Sequence, residues 1–275
     1  MTPQQRVLYS GSQRLLPVQD RLAHARAAGF DAVSIWPSDV RDADLSELRA
    51  AVAAAGLTVS EMEVLCCWLP GQAEAPPSMW DMLKWQTPER MLPMAQALGA
   101  HTISAAELFG LPFHGPAMAA TFKALCQRAA DHGLRVALEF VPSGGIFGLA
   151  EAWEIVERAG ANNGGLMIDS CHFHTSQSSL DLLASIPGDR IYSVQLADVP
   201  ADADAQMVNR MQDRLMPGAG VIDFAAFMQA LAATGTTAPT GIEMFSAALD
   251  ALPPAESARQ CAAALDFCLS QGTQT

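Results

Sequence analysis

Lysine is nearly missing from this chain: 275 residues hold two, Lys84 and Lys123. Charged residues make up only 16%, and 29 acidic against 16 basic side chains leave a formal net charge of −13. Such a balance disfavours phosphate backbones, whose affinity comes from neutralising phosphates with Lys and Arg. It also disfavours anionic membrane surfaces. With so few lysines, a dedicated phosphate subsite is not expected. The six cysteines form no CxxC pair and no zinc-ribbon spacing, which reads as free thiols in a reducing cytoplasm. The N-terminus lacks a basic region followed by an apolar one, so no secretory signal is expected. No apolar run reaches the roughly 18 residues of a membrane span. GxGxxG and Walker A patterns are both missing, which removes the usual marks of a doubly wound nucleotide-binding sheet. No Gly/Ser-rich linker and no low-complexity segment divides the sequence.

What is present is apolar and periodic. Half of the residues are hydrophobic, enough for a large core. Short apolar runs alternate with amphipathic stretches. Strands are expected at 7–9, 31–36, 57–65, 102–108, 136–141, 166–169, 191–196 and 241–245. Helices are expected at 18–28, 45–55, 88–98, 117–132, 150–159, 180–186, 224–234 and 255–269. Gly29, Gly56, Gly99 and Gly133 stop the first four helices, and Thr87 is the expected N-cap of the third. Residues 66–86 read as a loop with at most a short helix. Eight strand–helix units in a chain close to the barrel length of about 250 residues point to a single (β/α)8 barrel spanning 1–275.

The last four strands each carry one polar residue in or just after an apolar run: Glu139, Asp169, Gln195 and Glu243. A parallel barrel gathers its strand ends at one rim, where active sites are built. Three carboxylates converging there would repel, and a cation between them would keep them ionised. Three anionic oxygens plus a neutral amide oxygen suit one hard divalent ion, Mn2+, Mg2+ or Co2+, with Zn2+ less favoured.

These residues resemble the xylose-isomerase-like barrel superfamily, also labelled sugar phosphate isomerase/epimerase. The marks are Leu138-Glu139, Asp169-Ser170-Cys171-His172, Gln195-Leu196-Ala197-Asp198 and Gly241-Ile242-Glu243. Between the last two lies Arg214-Leu215-Met216-Pro217-Gly218-Ala219-Gly220, similar to the family's RxxPGxG loop. The resemblance implies that Glu139, Asp169, Gln195 and Glu243 hold the metal, and that Arg214 and His172 line the substrate pocket. Many epimerases of the family carry His where Gln195 stands here. That departure is similar to the 3-dehydroshikimate dehydratase branch.

The leading expectation is a cytoplasmic, metal-dependent isomerase or epimerase. It would act on a sugar, polyol or related hydroxyketone through an enediolate-type intermediate, with Glu139 and Glu243 as acid–base groups on opposite faces. The alternative is a dehydratase of a cyclic hydroxyketone with His172 moving the proton. Arg214 is the expected clamp for an anionic substrate group. Otherwise it would be a salt bridge holding the Pro217–Gly220 loop. Trp36, Trp68 and Glu107 complete the expected substrate contacts. Glu63 and His114 read more as solvated loop residues, His174 as a loop residue and Asp198 as a support. The cluster Trp36, Trp68, Met79, Trp80, Met82 and Trp85 fits either a pocket wall or a subunit interface, leaving room for a homo-oligomer. An endonuclease of the same superfamily would need several metals and many His ligands, which six scattered histidines do not supply. A non-catalytic barrel remains the reading if the metal ligands do not bind.

Overall fold

The computed structural model describes residues 4–207 and 212–272. Its strands are β1 (Arg6–Leu8), β2 (Ala32–Ile35), β3 (Thr58–Leu65), β4 (Thr102–Ala106), β5 (Arg135–Glu139), β6 (Gly164–Asp169), β7 (Ile191–Leu196) and β8 (Thr240–Ile242). Each pairs in parallel with its neighbours in chain order, and β8 closes on β1 with Arg6 beside Thr240. The principal helices outside the sheet are α1 (Val18–Ala27), α2 (Leu45–Ala54), α3 (Pro88–Leu98), α4 (Gly115–Ala130), α5 (Leu149–Ala159), α6 (Leu180–Ser185), α7 (Phe224–Ala233) and α8 (Pro254–Gln271). The chain is thus a closed (β/α)8 barrel, as the alternating pattern implies.

Local chemistry accounts for these elements. In α5, Leu149, Ala152, Ile155, Val156 and Ala159 are buried at helical spacing and present one apolar stripe to the sheet. Asp44 caps α2 by accepting from the Ser46 and Glu47 amides. Pro88 opens α3, where its missing N–H costs nothing, and Gly99 ends it at φ 74°, a left-handed turn that suits glycine. Thr87 occupies the N-cap position as expected, but its side chain makes no capping bond.

The sheet has two unlike faces. Outward residues such as Val33, Leu138, Ile168, Leu196 and Ile242 join the helices in one large apolar core. The interior is narrower and partly polar. Val7, Tyr9 and Ala32 form one small cluster, and Ala137, Met167 and Tyr192 another, both separate from the large core. Between them run two hydrogen bonds from β3 to β7, strands four apart in the ring of eight and so on opposite sides. Ser193 donates to Glu61 at 2.6 Å, and two residues further along both strands Gln195 donates to Glu63 at 2.8 Å. Tyr9 joins the lower level through its hydroxyl, 2.6 Å from Ser193 Oγ. Barrel interiors are filled in layers of inward side chains; here two layers are held by carboxylates.

Three short helices were not expected: Pro37–Val40, Ser170–Thr175 and Ala247–Asp250. Each has six residues or fewer, too short to show a helical period in sequence. Strand β8 ends at Ile242 rather than Phe245 because the chain turns away there: Arg214 N–H donates to the Phe245 carbonyl and Asp213 bridges to Ser246. The expected loop after Leu196 is seen apart from residues 208–211, which lie outside the described residues. The segment 66–86 is irregular, with one 3-10 turn at Asp81–Leu83.

Candidate active site

The site begins at the end of β6. Asp169 caps the helix Ser170–Thr175, its Oδ1 accepting from the amides of Cys171 at 2.7 Å and His172 at 3.0 Å. That turn carries His172 back over the rim, where its Nε2 lies 3.5 Å from Glu139 Oε1 at the end of β5. One oxygen each from Glu139 and Asp169 and one ring nitrogen of His172 lie within 4.8 Å of one another. Gln195 sits beside Asp169 in the β6–β7 register, and Glu243 follows β8 by one residue. His174 is on the same short helix but points to solvent.

Arg214 ties the cluster together. Its Nη1 donates to Asp169 Oδ2 at 2.8 Å and to Glu243 Oε2 at 3.1 Å, and Nη2 lies 3.5 Å from His172 Nε2. The expected alternative, that Arg214 holds the Pro217–Gly220 loop, is not what is seen. Asp198 does that work. Its Oδ2 accepts from the Gly218 and Gly220 amides at 3.0 and 2.9 Å, and its Oδ1 from Val199 and Ile222 at 2.9 and 3.0 Å. A Cβ on Gly220 would stand 2.2 Å from the Val199 carbonyl oxygen and 2.5 Å from Asp198 Oδ1, so this position must stay bare. The loop in turn pairs Leu215 with Asp198 and so aims Arg214 into the rim.

The electrostatics are those of crowded carboxylates. Burial first, then the charges of Glu243 and Asp169, push the Glu139 carboxyl well above its usual range. Burial and then Glu63 do the same to Glu243. Burial and then Glu61 raise Glu63, while burial pushes Glu61 up to about 7. Asp169 is the exception: burial opposes its charge, but the Arg214 charge and the hydrogen bonds from the His172 amide and Arg214 outweigh burial and hold it below the usual value. Burial lowers His172 to about 4, with Arg214 adding to the effect and Asp169 opposing it, so the imidazole is neutral at neutral pH.

The donor set fits a divalent cation. Gln195 Oε1 is buried and has no hydrogen-bond partner. Leaving such an acceptor unsatisfied costs about 1–3 kcal/mol, so a natural role for it is ligation. Oxygen atoms of Glu139, Asp169, Gln195 and Glu243, with His172 adjacent, make an oxygen-rich set suited to hard or borderline ions.

Above the cluster opens a cavity of about 310 Å³. Its floor is polar, with Glu63, Glu139, His172, Arg214 and Glu243; its walls include Trp36, Trp80, Trp85 and Phe245. Trp36 and Phe245 stack with centroids 6.0 Å apart and planes 11° from parallel, and the Arg214 guanidinium lies 5.0 Å from the Phe245 centroid.

Two expected substrate contacts belong elsewhere. Trp68 is buried, donates its indole N–H to the Ala106 carbonyl at 3.0 Å and packs edge-on against Phe122. Glu107 is fully buried and accepts from the amides of Phe109, Gly110 and Leu111 at 2.9, 3.0 and 3.2 Å, and from that of Gly145. Both are scaffold. His114 caps α4, accepting from the Ala117 amide at 3.3 Å. Met79 and Met82 are both exposed, and Met82 also borders the cavity. Glu63, read as a solvated loop residue, is instead buried in the floor. Glu61, outside the expected site residues, is also fully buried on β3. The signal was there: two carboxylates two residues apart within an apolar run put both on one face of β3.

A closed parallel barrel with an acidic cluster at one rim of strand ends defines the class: a (β/α)8 barrel with a polar site at that rim. Within it, the chain belongs to the xylose isomerase-like TIM barrel family, whose model matches residues 22–268. Among curated relatives, the 3-dehydroshikimate dehydratase of Pseudomonas aeruginosa is 29% identical over 242 residues, 85% of this chain and 37% of that protein. The inosose isomerase of Bacillus subtilis is 32% identical over 119 residues, 42% of each chain. The matched stretch thus spans less than half the length of either relative. Among solved structures, an IOLI protein with a bound zinc atom superposes with a TM-score of 0.85 at 20% identity, covering 98% of this chain and 100% of that one; this likeness shows the fold. Among the described residues, no helix is long and apolar enough to cross a membrane.

Proposed function

We propose that this chain is a divalent-metal-dependent enzyme that removes a proton beside the carbonyl of a cyclic hydroxyketone, with loss of water as the outcome. The observation that carries the metal requirement is the buried, partnerless Gln195 Oε1 set beside Asp169 in a rim of carboxylates. Glu139, Asp169, Gln195 and Glu243 would hold the ion. When bound, the ion supplies Lewis-acid polarisation of the carbonyl and a neighbouring hydroxyl.

The protein's own groups do the rest. Neutral His172 can accept the α-proton at Nε2. Glu139, 3.5 Å away, can share that proton and return it to the departing hydroxyl, so that a C–H and a C–O bond break, a C=C bond forms between those carbons and water leaves. Arg214 holds Asp169 ionised and occupies Glu243 Oε2. That engagement favours elimination by the Glu139–His172 pair over epimerisation, which needs a second free acid–base group on the opposite face. The long match to a dehydratase supports the same choice. The aromatic walls, Trp36, Trp80, Trp85 and Phe245, suit the apolar face of a ring.

A second reading, isomerisation, is favoured by the inosose isomerase relatives. Product mass separates the two. The Mn2+-loaded protein is incubated with 3-dehydroshikimate and with an inosose, and products are resolved by mass. Loss of one water supports dehydration; conversion without change of mass contradicts it and supports isomerisation. No conversion of any member of a cyclic hydroxyketone panel would sink both.

A further inference from the structure

We propose that Glu63 is a positioning residue that decides which end of the Gln195 amide faces the cation, an inference that rests on the metal reading above. The two ends of a glutamine amide are nearly alike in shape, yet only the oxygen can ligate a cation. Something must select the orientation. Gln195 Nε2 donates to Glu63 Oε2 at 2.8 Å. With Oε1 taken by the Ser34 hydroxyl and a cation at the rim favouring the ionised form, Glu63 offers Gln195 only an acceptor, so turning the amide over would set two acceptors face to face. The contact comes from β3 on the far side of the barrel, not from a neighbouring strand.

Glu63 is itself held. The Ser34 hydroxyl donates to its other oxygen, Oε1. Ser34 Oγ accepts from the Ser10 amide at 2.8 Å, and the Ser10 hydroxyl donates to the Ser34 carbonyl at 2.9 Å. A relay therefore runs from Ser10 after β1, through Ser34 on β2 and Glu63 on β3, to Gln195 on β7. Every member of it is buried. The Gln195 nitrogen is satisfied, and its oxygen, the end that can bind a metal, is left open at a position that pairs with Asp169. The level below lacks this polarity, because the Ser193 hydroxyl that meets Glu61 can turn freely about its C–O bond.

The test is Co2+ titration of the metal-free full chain, read by visible absorption and by equilibrium dialysis, for wild type, Glu63→Leu, Glu63→Gln and Ser34→Ala. Supporting groups of this kind typically change metal affinity 10- to 100-fold, so Glu63→Leu is expected to weaken Co2+ binding by about that factor and to alter the absorption bands. Glu63→Gln can turn its oxygen to Gln195 and its NH2 to Ser34, and is expected to stay within roughly threefold of wild type. Ser34→Ala, which only loosens the relay, should fall between them. Folding is checked by near-UV circular dichroism. A folded Glu63→Leu variant with wild-type affinity and bands overturns the proposal, as does a Glu63→Gln variant as weak as Glu63→Leu. Should Glu63→Leu fail to fold, unchanged Ser34→Ala binding and bands overturn it. Wild type that binds no Co2+ overturns the functional reading and this inference with it, whereas tight wild-type binding with unaffected variants removes this inference alone.

Discussion

The two halves of the barrel rim are built differently. Strands β5 to β8 end at Glu139, Asp169, Gln195 and Glu243, and Arg214 and His172 link the three carboxylates. The loops after β2 and β3 supply indoles instead, Trp36, Trp80 and Trp85, and β3 sends one carboxylate, Glu63, into the floor. One half concentrates charge that must be compensated. The other presents apolar surface that shapes the cavity. Substitutions in the first half should therefore act on turnover and metal, and those in the second on substrate affinity.

The largest effect is expected at the acid–base pair. Glu139→Gln and His172→Asn should each lower kcat by about 10²- to 10⁴-fold, the usual contribution of a positioned proton-transfer group. His172→Asn should keep its metal, measured by elemental analysis; loss of metal there would make His172 a ligand rather than a proton carrier. Next comes Arg214→Met, which leaves Asp169 and Glu243 buried without their cation. Removing one partner of a buried ion pair costs about 3–5 kcal/mol, read as a lowered urea midpoint of the metal-free protein. Unchanged stability would mean that the carboxylates protonate instead.

On the aromatic half, Trp36→Ala removes the partner that stacks on Phe245. It should raise KM about tenfold, equivalent to about 1.4 kcal/mol, while kcat changes little. A kcat loss as large as that of Glu139→Gln would erase the distinction between the halves.

The smallest expected effect concerns pH. Burial raises the folded-state value of Glu61 to about 7, above its ordinary 4.5. The folded state therefore binds more protons than the unfolded state between those values, and the stability this group contributes is fully present below 4.5 and lost as pH rises through about 7. His172, lowered to about 4, acts in the opposite sense: its contribution is present above 6.5 and lost as pH falls through about 4. A difference measurement isolates Glu61. Glu61→Gln should melt at a higher temperature than wild type at pH 8, with the gap closing by pH 5. A gap that widens toward low pH would contradict this assignment.

The sequence made the two halves unequally legible. Strands β4, β5 and β7 and helix α3 stand out because glycine or proline flanks their apolar runs on both sides. The polar residues of β5 to β8 stand out because each interrupts such a run. Arg214 could be named from its loop, but not its partners, since its approach to Asp169 depends on the Asp198 cradle formed between distant segments. Glu107 and Trp68 misled for the opposite reason. Both sit at strand ends where functional residues gather, yet backbone amides and a carbonyl around them use their polar atoms. Glu61 and Glu63 were readable from their spacing on β3. Their partners on β7 were not, because a contact across the barrel leaves no local pattern.

The central claim is the cation at the rim, and metal content tests it most directly. The purified full chain and its Glu243→Gln variant are analysed for bound metal after exposure to Mn2+, Co2+ or Mg2+ and desalting. About one divalent ion per wild-type chain is expected from this donor set, with a clear loss in the variant. A wild-type protein that stays metal-free under all three conditions would contradict the account and leave only the barrel.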